Sequence, residues 1–163
     1  MHRETFAIME HLVHTCLSPE QPLCVLDVGS GDINGAYRPL FDRPRWCYAG
    51  ADIAPGPNVD IVLADPYRWE IPDASYDLVI TGQAFEHIEF FWLTWLEMVR
   101  TVRHGGLLFL VAPSGGREHR WPVDCWRFYR DGMHALARYA GVDVLAADTY
   151  WETFLGRHSG RLS

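Results

Sequence analysis

The chain contains no lysine; all 14 of its Lys+Arg charges are arginines. That absence excludes Schiff-base chemistry and a Walker-type phosphate loop, both of which need a lysine ammonium. Positive charge is also outnumbered, because 21 acidic residues bring the formal net charge to -7 at pH 7. Binding of nucleic acid by bulk electrostatics is therefore not expected. Long apolar runs are missing too: no stretch approaches the roughly 18 uninterrupted apolar residues of a membrane span. The opening MHRETFAIMEHLVH carries charge and histidine where a secretory signal would be apolar, so a cytoplasmic protein without membrane association is expected. The four cysteines, at 16, 24, 47 and 125, form no CxxC pair, which favours reduced core thiols over zinc or disulfides. His11 and His14 share a helix face without a carboxylate partner, and no metal is assigned.

What is present is 48% apolar content with seven Trp, seven Tyr and eight Phe in 163 residues, enough for one packed domain. The runs 24–29, 46–53, 59–65, 76–82, 106–113 and 142–148 are short and mostly continuous, the pattern of strands buried on both faces. Helices are expected over Arg3 to Cys16, Ala36 to Phe41, Phe90 to Val102 and Asp131 to Ala140. Strands alternating with helices imply a three-layer α/β sandwich around a mostly parallel sheet. No repeat or linker divides the chain, which is read as one domain. It comprises a lead-in helix region (1–22), a core (23–116) and a final part (117–163) with a loop, the last helix and an edge strand. The aromatic stripe of FFWLTWLEMVR reads as helix packing.

The segment VLDVGSGDING, Val25 to Gly35, reads as a turn at the carboxyl end of the first strand, where doubly wound sheets bind ligands. Gly29 and Gly31 allow a tight bend and close approach, and the N–H groups that follow suit an anionic group. Asp52 ends the second strand about 20 residues later, the interval at which a carboxylate accepts ribose hydroxyls. A dinucleotide fingerprint would want a third glycine where Asn34 stands, and Asp27 would repel a pyrophosphate. A cofactor carrying positive charge and a ribose fits better.

VLDVGSGDING, GADI, LADPYRWEIPDASYDLVITGQAFEHI and TVRHGGLLFLVAPSGG together resemble the class I S-adenosylmethionine-dependent methyltransferases, in their small-molecule, type 11-like branch. The likeness spans about Leu23 to Gly116, in the family's order and spacing. It implies a Rossmann-like fold with strand order 3-2-1-4-5, S-adenosyl-L-methionine as cofactor and methyl transfer as activity. By that resemblance Asp27, Gly29, Ser30 and Gly31 hold the methionine end, Asp52 the ribose and Ile53 one adenine face. Asp65 takes the adenine amino group, Pro66 flanks the ring and Gln83 lines the methionyl side. A sixth strand over Val142 to Ala147 is expected, without a convincing seventh, so either the sheet is truncated at its C-terminal edge or the sixth strand takes the vacant place. An edge of this kind suits a second copy in a homodimer.

Acceptor-side residues must project from the ends of the fourth and fifth strands. QAFEHIE supplies Glu86 and His87, and SGGREHRWPVDCWRFYRDG supplies His119, Asp124 and interleaved arginines and aromatics. His87 or His119 is the expected general base, with Asp124 beside them, for O-methylation of a small molecule such as a carbohydrate or natural product. Two alternatives stay open: a nicotinamide-dependent oxidoreductase, separable by titration with each cofactor, and a non-catalytic partner subunit that binds cofactor without turnover.

Overall fold

A computed structural model describes residues 3–149. The core is a five-stranded sheet in the order β3-β2-β1-β4-β5. Its strands are β1 (Leu23–Val28), β2 (Trp46–Asp52), β3 (Ile61–Val62), β4 (Tyr76–Gly82) and β5 (Val102–Val111). Every neighbouring pair is parallel. Three helices accompany it: α1 (Arg3–Cys16), α2 (Phe91–Thr101) and α3 (Arg130–Ala140).

The continuous apolar runs are explained by burial on both sides of the central strands. In β1, Val25 packs with Met9 and Val13 of α1 and with Leu78, Ile80, Tyr37 and Phe41. Its neighbour Leu26 faces the other side, with Val79, Trp95 and Met98 of α2 and Leu136 of α3. Alternate residues thus enter different apolar layers, and no polar face is needed. The aromatic stripe on α2 packs largely as expected, with Trp95 buried and its indole N–H donating to the Leu136 carbonyl at 3.1 Å. Phe90 and Leu93 are exposed.

Three expected elements are shorter or absent. Ala36 to Phe41 yields a single 3-10 turn, Arg38–Phe41, because Gly35 adopts φ 115° before it and Asp42 leaves helical space after it with ψ 83°. The run 59–65 pairs as a strand only at Ile61 and Val62, where the exposed Val62 marks a sheet edge. The sixth strand does not form: 142–148 contains no strand, and Leu145 is 82% exposed. An apolar pattern permits a strand, but a ladder requires a neighbour in register, and 142–148 has none among the described residues. α3 itself closes on Gly141 in the left-handed region, whose N–H reaches the Arg138 carbonyl, and Val142 packs back on the core. Three of the four cysteines, 16, 47 and 125, are exposed thiols rather than core residues.

The parallel arrangement brings the ends of β1, β2, β4 and β5 to one rim. Thr81 on β4 reinforces that rim by donating to the Val28 carbonyl at 2.8 Å.

Candidate functional site

The first bend after β1 is built by glycine for two separate reasons. Gly29 sits at φ 76°, and a Cβ placed there would lie 2.4 Å from the Ala84 Cβ in the loop after β4. The glycine turn and the β4 loop therefore touch directly. Gly31 has an ordinary φ, but its Cβ would stand 3.0 Å from an Asp52 carboxylate oxygen.

The turn's N–H groups do not form the anion cradle expected from the sequence. Those of Gly29 and Ser30 donate to the Ala51 carbonyl at 2.9 and 3.1 Å, and that of Asp32 donates to the Pro57 carbonyl at 3.0 Å. The Gly31 N–H donates to Asp52 Oδ2 at 2.9 Å. Four consecutive donors are turned back onto β2 and the loop after it, and no helix N-terminus follows directly. A phosphate would find acids here and no open amide nest.

Beneath the turn lies a network that sequence reasoning missed. Asn58, in the left-handed region at φ 68°, donates from Nδ2 to the Ser30 carbonyl at 2.8 Å. Its own carbonyl accepts the Ser30 hydroxyl at 3.1 Å. Arg38 donates to Asn58 Oδ1 at 2.6 Å, pairs with Asp60 and stacks over Tyr48 at 4.5 Å. The Ser30 side chain is thus occupied in bracing the turn. The PGPN turn before β3 is the signal that could have pointed to Asn58. Arg38 had no local signal.

Asp27 is 2% exposed and accepts the Tyr48 hydroxyl. Burial pushes its carboxyl up to about 7, partly offset by the Tyr48 hydrogen bond. Asp27 therefore lies in the floor of the turn. Asp52 is half-buried at the tip of β2, with Oδ2 on Gly31 and Oδ1 at the outer limit of contact with the Ala54 N–H, 3.4 Å. Ile53 beside it is 58% exposed, and Ile33 in the turn is exposed as well. Asp65 is exposed, and its Oδ1 accepts the Tyr67 N–H at 2.7 Å, an Asx-turn. The Pro66 carbonyl receives the Trp69 indole and the Thr94 hydroxyl. Gln83 takes the left-handed φ of 60°, held by its N–H on the Val111 carbonyl at 2.8 Å. For a residue with a Cβ that backbone is strained, a feature that concentrates at functional sites.

The acceptor-side candidates converge. The 3-10 turn Phe85–His87 places Glu86 beside His87, and the chain after β5 folds back on it: the Cys125 N–H donates to the Glu86 carbonyl at 2.7 Å. This brings His119 edge-on to His87 at 5.1 Å between ring centres. Asp124 is held by Arg127 at 2.5 and 2.8 Å and by the His119 N–H at 2.6 Å, and these bonds, Arg127 first, keep its carboxyl well below the usual range. Its side chain is 1% exposed, so it orients the loop carrying His119 and does not reach outward. Glu86 itself is fully buried, and burial raises its carboxyl above the ordinary range.

A parallel sheet in this order, with a glycine turn after β1 abutting the β4 loop, defines a Rossmann-like fold. A family model described as a methyltransferase domain matches residues 26–110. The chain belongs to that methyltransferase family. An uncharacterized methyltransferase of Mycobacterium sp. (strain KMS) is 32% identical over 108 residues, covering 58% of this chain and 42% of that protein. One from Mycobacterium ulcerans (strain Agy99) is 29% identical over 133 residues, covering 71% and 49%. The chain thus spans about half the length of the curated relatives it matches. Among solved structures, a putative methyltransferase from Bacillus halodurans superposes with TM-score 0.64 at 17% identity, covering 85% of this chain and 68% of that one. A complex of the Haloferax volcanii Trm112 methyltransferase activator with a putative methyltransferase gives TM-score 0.65 at 19% identity, covering 94% and 80%. These likenesses concern the fold. Among the described residues no helix is long and apolar enough to cross a membrane.

Proposed function

We propose that this chain binds S-adenosyl-L-methionine along the β1–β2–β3 rim and directs its methyl group to an oxygen of a small-molecule acceptor, such as a carbohydrate or natural product. The observation that carries the reading is the inward turn of four consecutive amides beside the carboxylates of Asp52 and Asp65, above the buried Asp27. That rim offers carboxylates to a cation and to ribose hydroxyls, and it offers a pyrophosphate nothing. The same observation weighs against a nicotinamide dinucleotide.

Each residue has a task in this reading. Asp52 Oδ1 accepts from the ribose while Oδ2 keeps the turn closed through Gly31. Ile53 and Ile33, exposed without a ligand, cover the adenine, and Asp65 accepts its amino group. Ser30 and Gly29 shape the cleft through the backbone at the methionyl end, with Asp27 in the floor beneath them. Gln83, on its strained backbone, borders the methyl side. The cofactor supplies an electrophilic methyl group on a sulfonium. The chain's contribution is to align an acceptor oxygen with it and exclude water, and the acceptor's proton is drawn toward Glu86, His87 and His119, with Asp124 fixing the loop.

Calorimetric titration of the chain with S-adenosylmethionine and its demethylated thioether, beside NAD, tests the cofactor. Micromolar affinity for the first two and none for NAD is expected; no affinity for either overturns the reading. Formation of the thioether over a panel of sugar and phenolic hydroxyl acceptors then identifies the substrate. Binding without turnover across the panel would favour a partner subunit.

A further inference from the structure

Cys24 on β1 and Cys47 on β2 are direct partners in the parallel register of these strands. Side chains at alternate positions share a face: Cys24 stands two residues before Leu26 and Cys47 two before Ala49, both of which pack in the layer beneath α2 and α3. The two thiols therefore leave the sheet on one side. At this end the apolar cover stops short of them, leaving Cys47 exposed and Cys24 half-buried, and the thiols are in hydrogen-bond contact with each other. Adjacent strands lie about 4.8 Å apart, inside the span of roughly 4.4 to 6.8 Å between Cα atoms that a disulfide bridges. Joining the sulfurs needs side-chain rotation and no change of register.

The two cysteines are not equivalent. Cys47 meets solvent, and its thiol donates to the Leu23 carbonyl at 3.6 Å. The hydrogen bond with Cys47, followed by burial, pushes the Cys24 thiol up to about 11, so Cys24 keeps its proton at neutral pH. Its backbone is fixed as well, because the Cys24 N–H donates to Asp77 Oδ2 at 2.7 Å and Asp77 is paired with Arg103. An accessible thiol thus stands against a shielded, immobilised one, the arrangement of an attacking and a resolving cysteine. Cys16, at the end of α1, and Cys125, in the loop after β5, lie on other elements.

We propose that Cys24 and Cys47 form a modification site at which a hydroperoxide reversibly closes a disulfide between β1 and β2. The Cys47 sulfur, as thiolate, attacks one peroxide oxygen; the O–O bond breaks, the leaving oxygen takes up a proton, and Cys47 becomes a sulfenic acid. The Cys24 sulfur then attacks the Cys47 sulfur, the S–O bond breaks, and the departing hydroxide takes the Cys24 proton as water. The two thiols together lose two electrons and the peroxide accepts them, so hydrogen peroxide yields the disulfide and two waters. A dithiol reductant reverses the change. The bond closes segment 25–46, which holds the glycine turn, Asp27 and Arg38, into a covalent loop, and it ties β1 to β2 at the ends opposite the Gly31–Asp52 contact. Neither step uses S-adenosylmethionine, so the site stands apart from the function proposed above.

The test treats the reduced full chain with a small excess of hydrogen peroxide, then blocks free thiols by alkylation and maps the products by fragmentation mass spectrometry. A monomer lighter by about 2 Da before alkylation, a Cys24–Cys47 linkage and recovery of both thiols with dithiothreitol are expected. Replacing Cys16 and Cys125 by Ser should leave the rate of linkage within twofold. Cys47→Ser should abolish the linkage and leave Cys24 open to alkylation; Cys47 is exposed, so this variant stays decisive even where Cys24→Ser disturbs folding. In Cys24→Ser, Cys47 should stop at a sulfenic acid that dimedone traps. Full alkylation of Cys24 after peroxide, or linkage of Cys47 to Cys16, Cys125 or another chain in place of Cys24, overturns the proposal. S-adenosylmethionine affinity is measured on the same reduced samples: its absence would sink the proposed function and leave the dithiol site standing, and cofactor binding without the linkage would sink the site alone.

Discussion

Replacing Asp27 by Asn separates the charge of this buried carboxyl from its shape. Asn fills nearly the same volume and still offers an oxygen to the Tyr48 hydroxyl, but it cannot ionise. In the folded chain burial raises the Asp27 carboxyl from 3.8 to about 7, so between these values the native state holds a proton that the unfolded chain releases. The stability this proton contributes is fully present below about pH 4, declines as the pH rises and is gone above about 7. At about 1.4 kcal/mol per pKa unit, the loss amounts to at most on the order of 4 kcal/mol. Asp60, Glu97 and Asp124, whose carboxyls are lowered by arginine and backbone partners, impose the opposite slope on the whole chain. They do so equally in both proteins and cancel in the difference. Urea unfolding followed by tryptophan fluorescence, at intervals from pH 4.5 to 8, should therefore show Asp27→Asn gaining on the parent by several kcal/mol as the pH rises. A fixed offset from an imperfectly bonded Asn amide would not change that slope. A stability difference constant to within about 0.5 kcal/mol, well below the expected change, would refute the assignment of a protonated carboxyl in the floor of the turn.

Gly29→Ala combines a left-handed φ with a Cβ 2.4 Å from that of Ala84, and a loss of about 2–4 kcal/mol in urea unfolding is expected, with weakened cofactor binding. Asp52→Ala removes the ribose acceptor and frees the Gly31 N–H; cofactor affinity should fall about ten- to hundredfold by calorimetry, the equivalent of a charged hydrogen bond. Arg100→Ala discriminates stability from function. Arg100 bonds Glu97, Asp73 and the Trp69 and Ile71 carbonyls far from the rim, so its loss should cost about 1–3 kcal/mol by thermal unfolding and leave cofactor affinity within twofold.

The regular elements followed from patterns that are local. α1 spans Arg3–Cys16 and β4 Tyr76–Gly82, the limits that apolar periodicity and flanking turns set, because burial on one helix face or both sheet faces is written directly into residue order. The glycine turn, the acids at strand tips and the convergence of the EHI element with the loop after β5 were legible for the same reason: a parallel sheet sends every strand's carboxyl end to one rim.

Four features were decided by tertiary contact alone. The amides of the first bend look available in sequence, and only the position of β2 shows that they are consumed. Segment 142–148 has the composition of a strand but no ladder to join. Arg38 and Asn58, twenty residues apart, brace the turn through a contact that the PGPN turn hints at for Asn58 and that nothing local announces for Arg38. Glu86 reads in sequence as an acid open to an acceptor after the fourth strand, and only the fold buries it completely. Composition and spacing determine which segments bury themselves and where their ends meet. Which hydrogen-bonding groups remain unspent at that meeting place depends on partners distant in the chain, and only the assembled structure counts them.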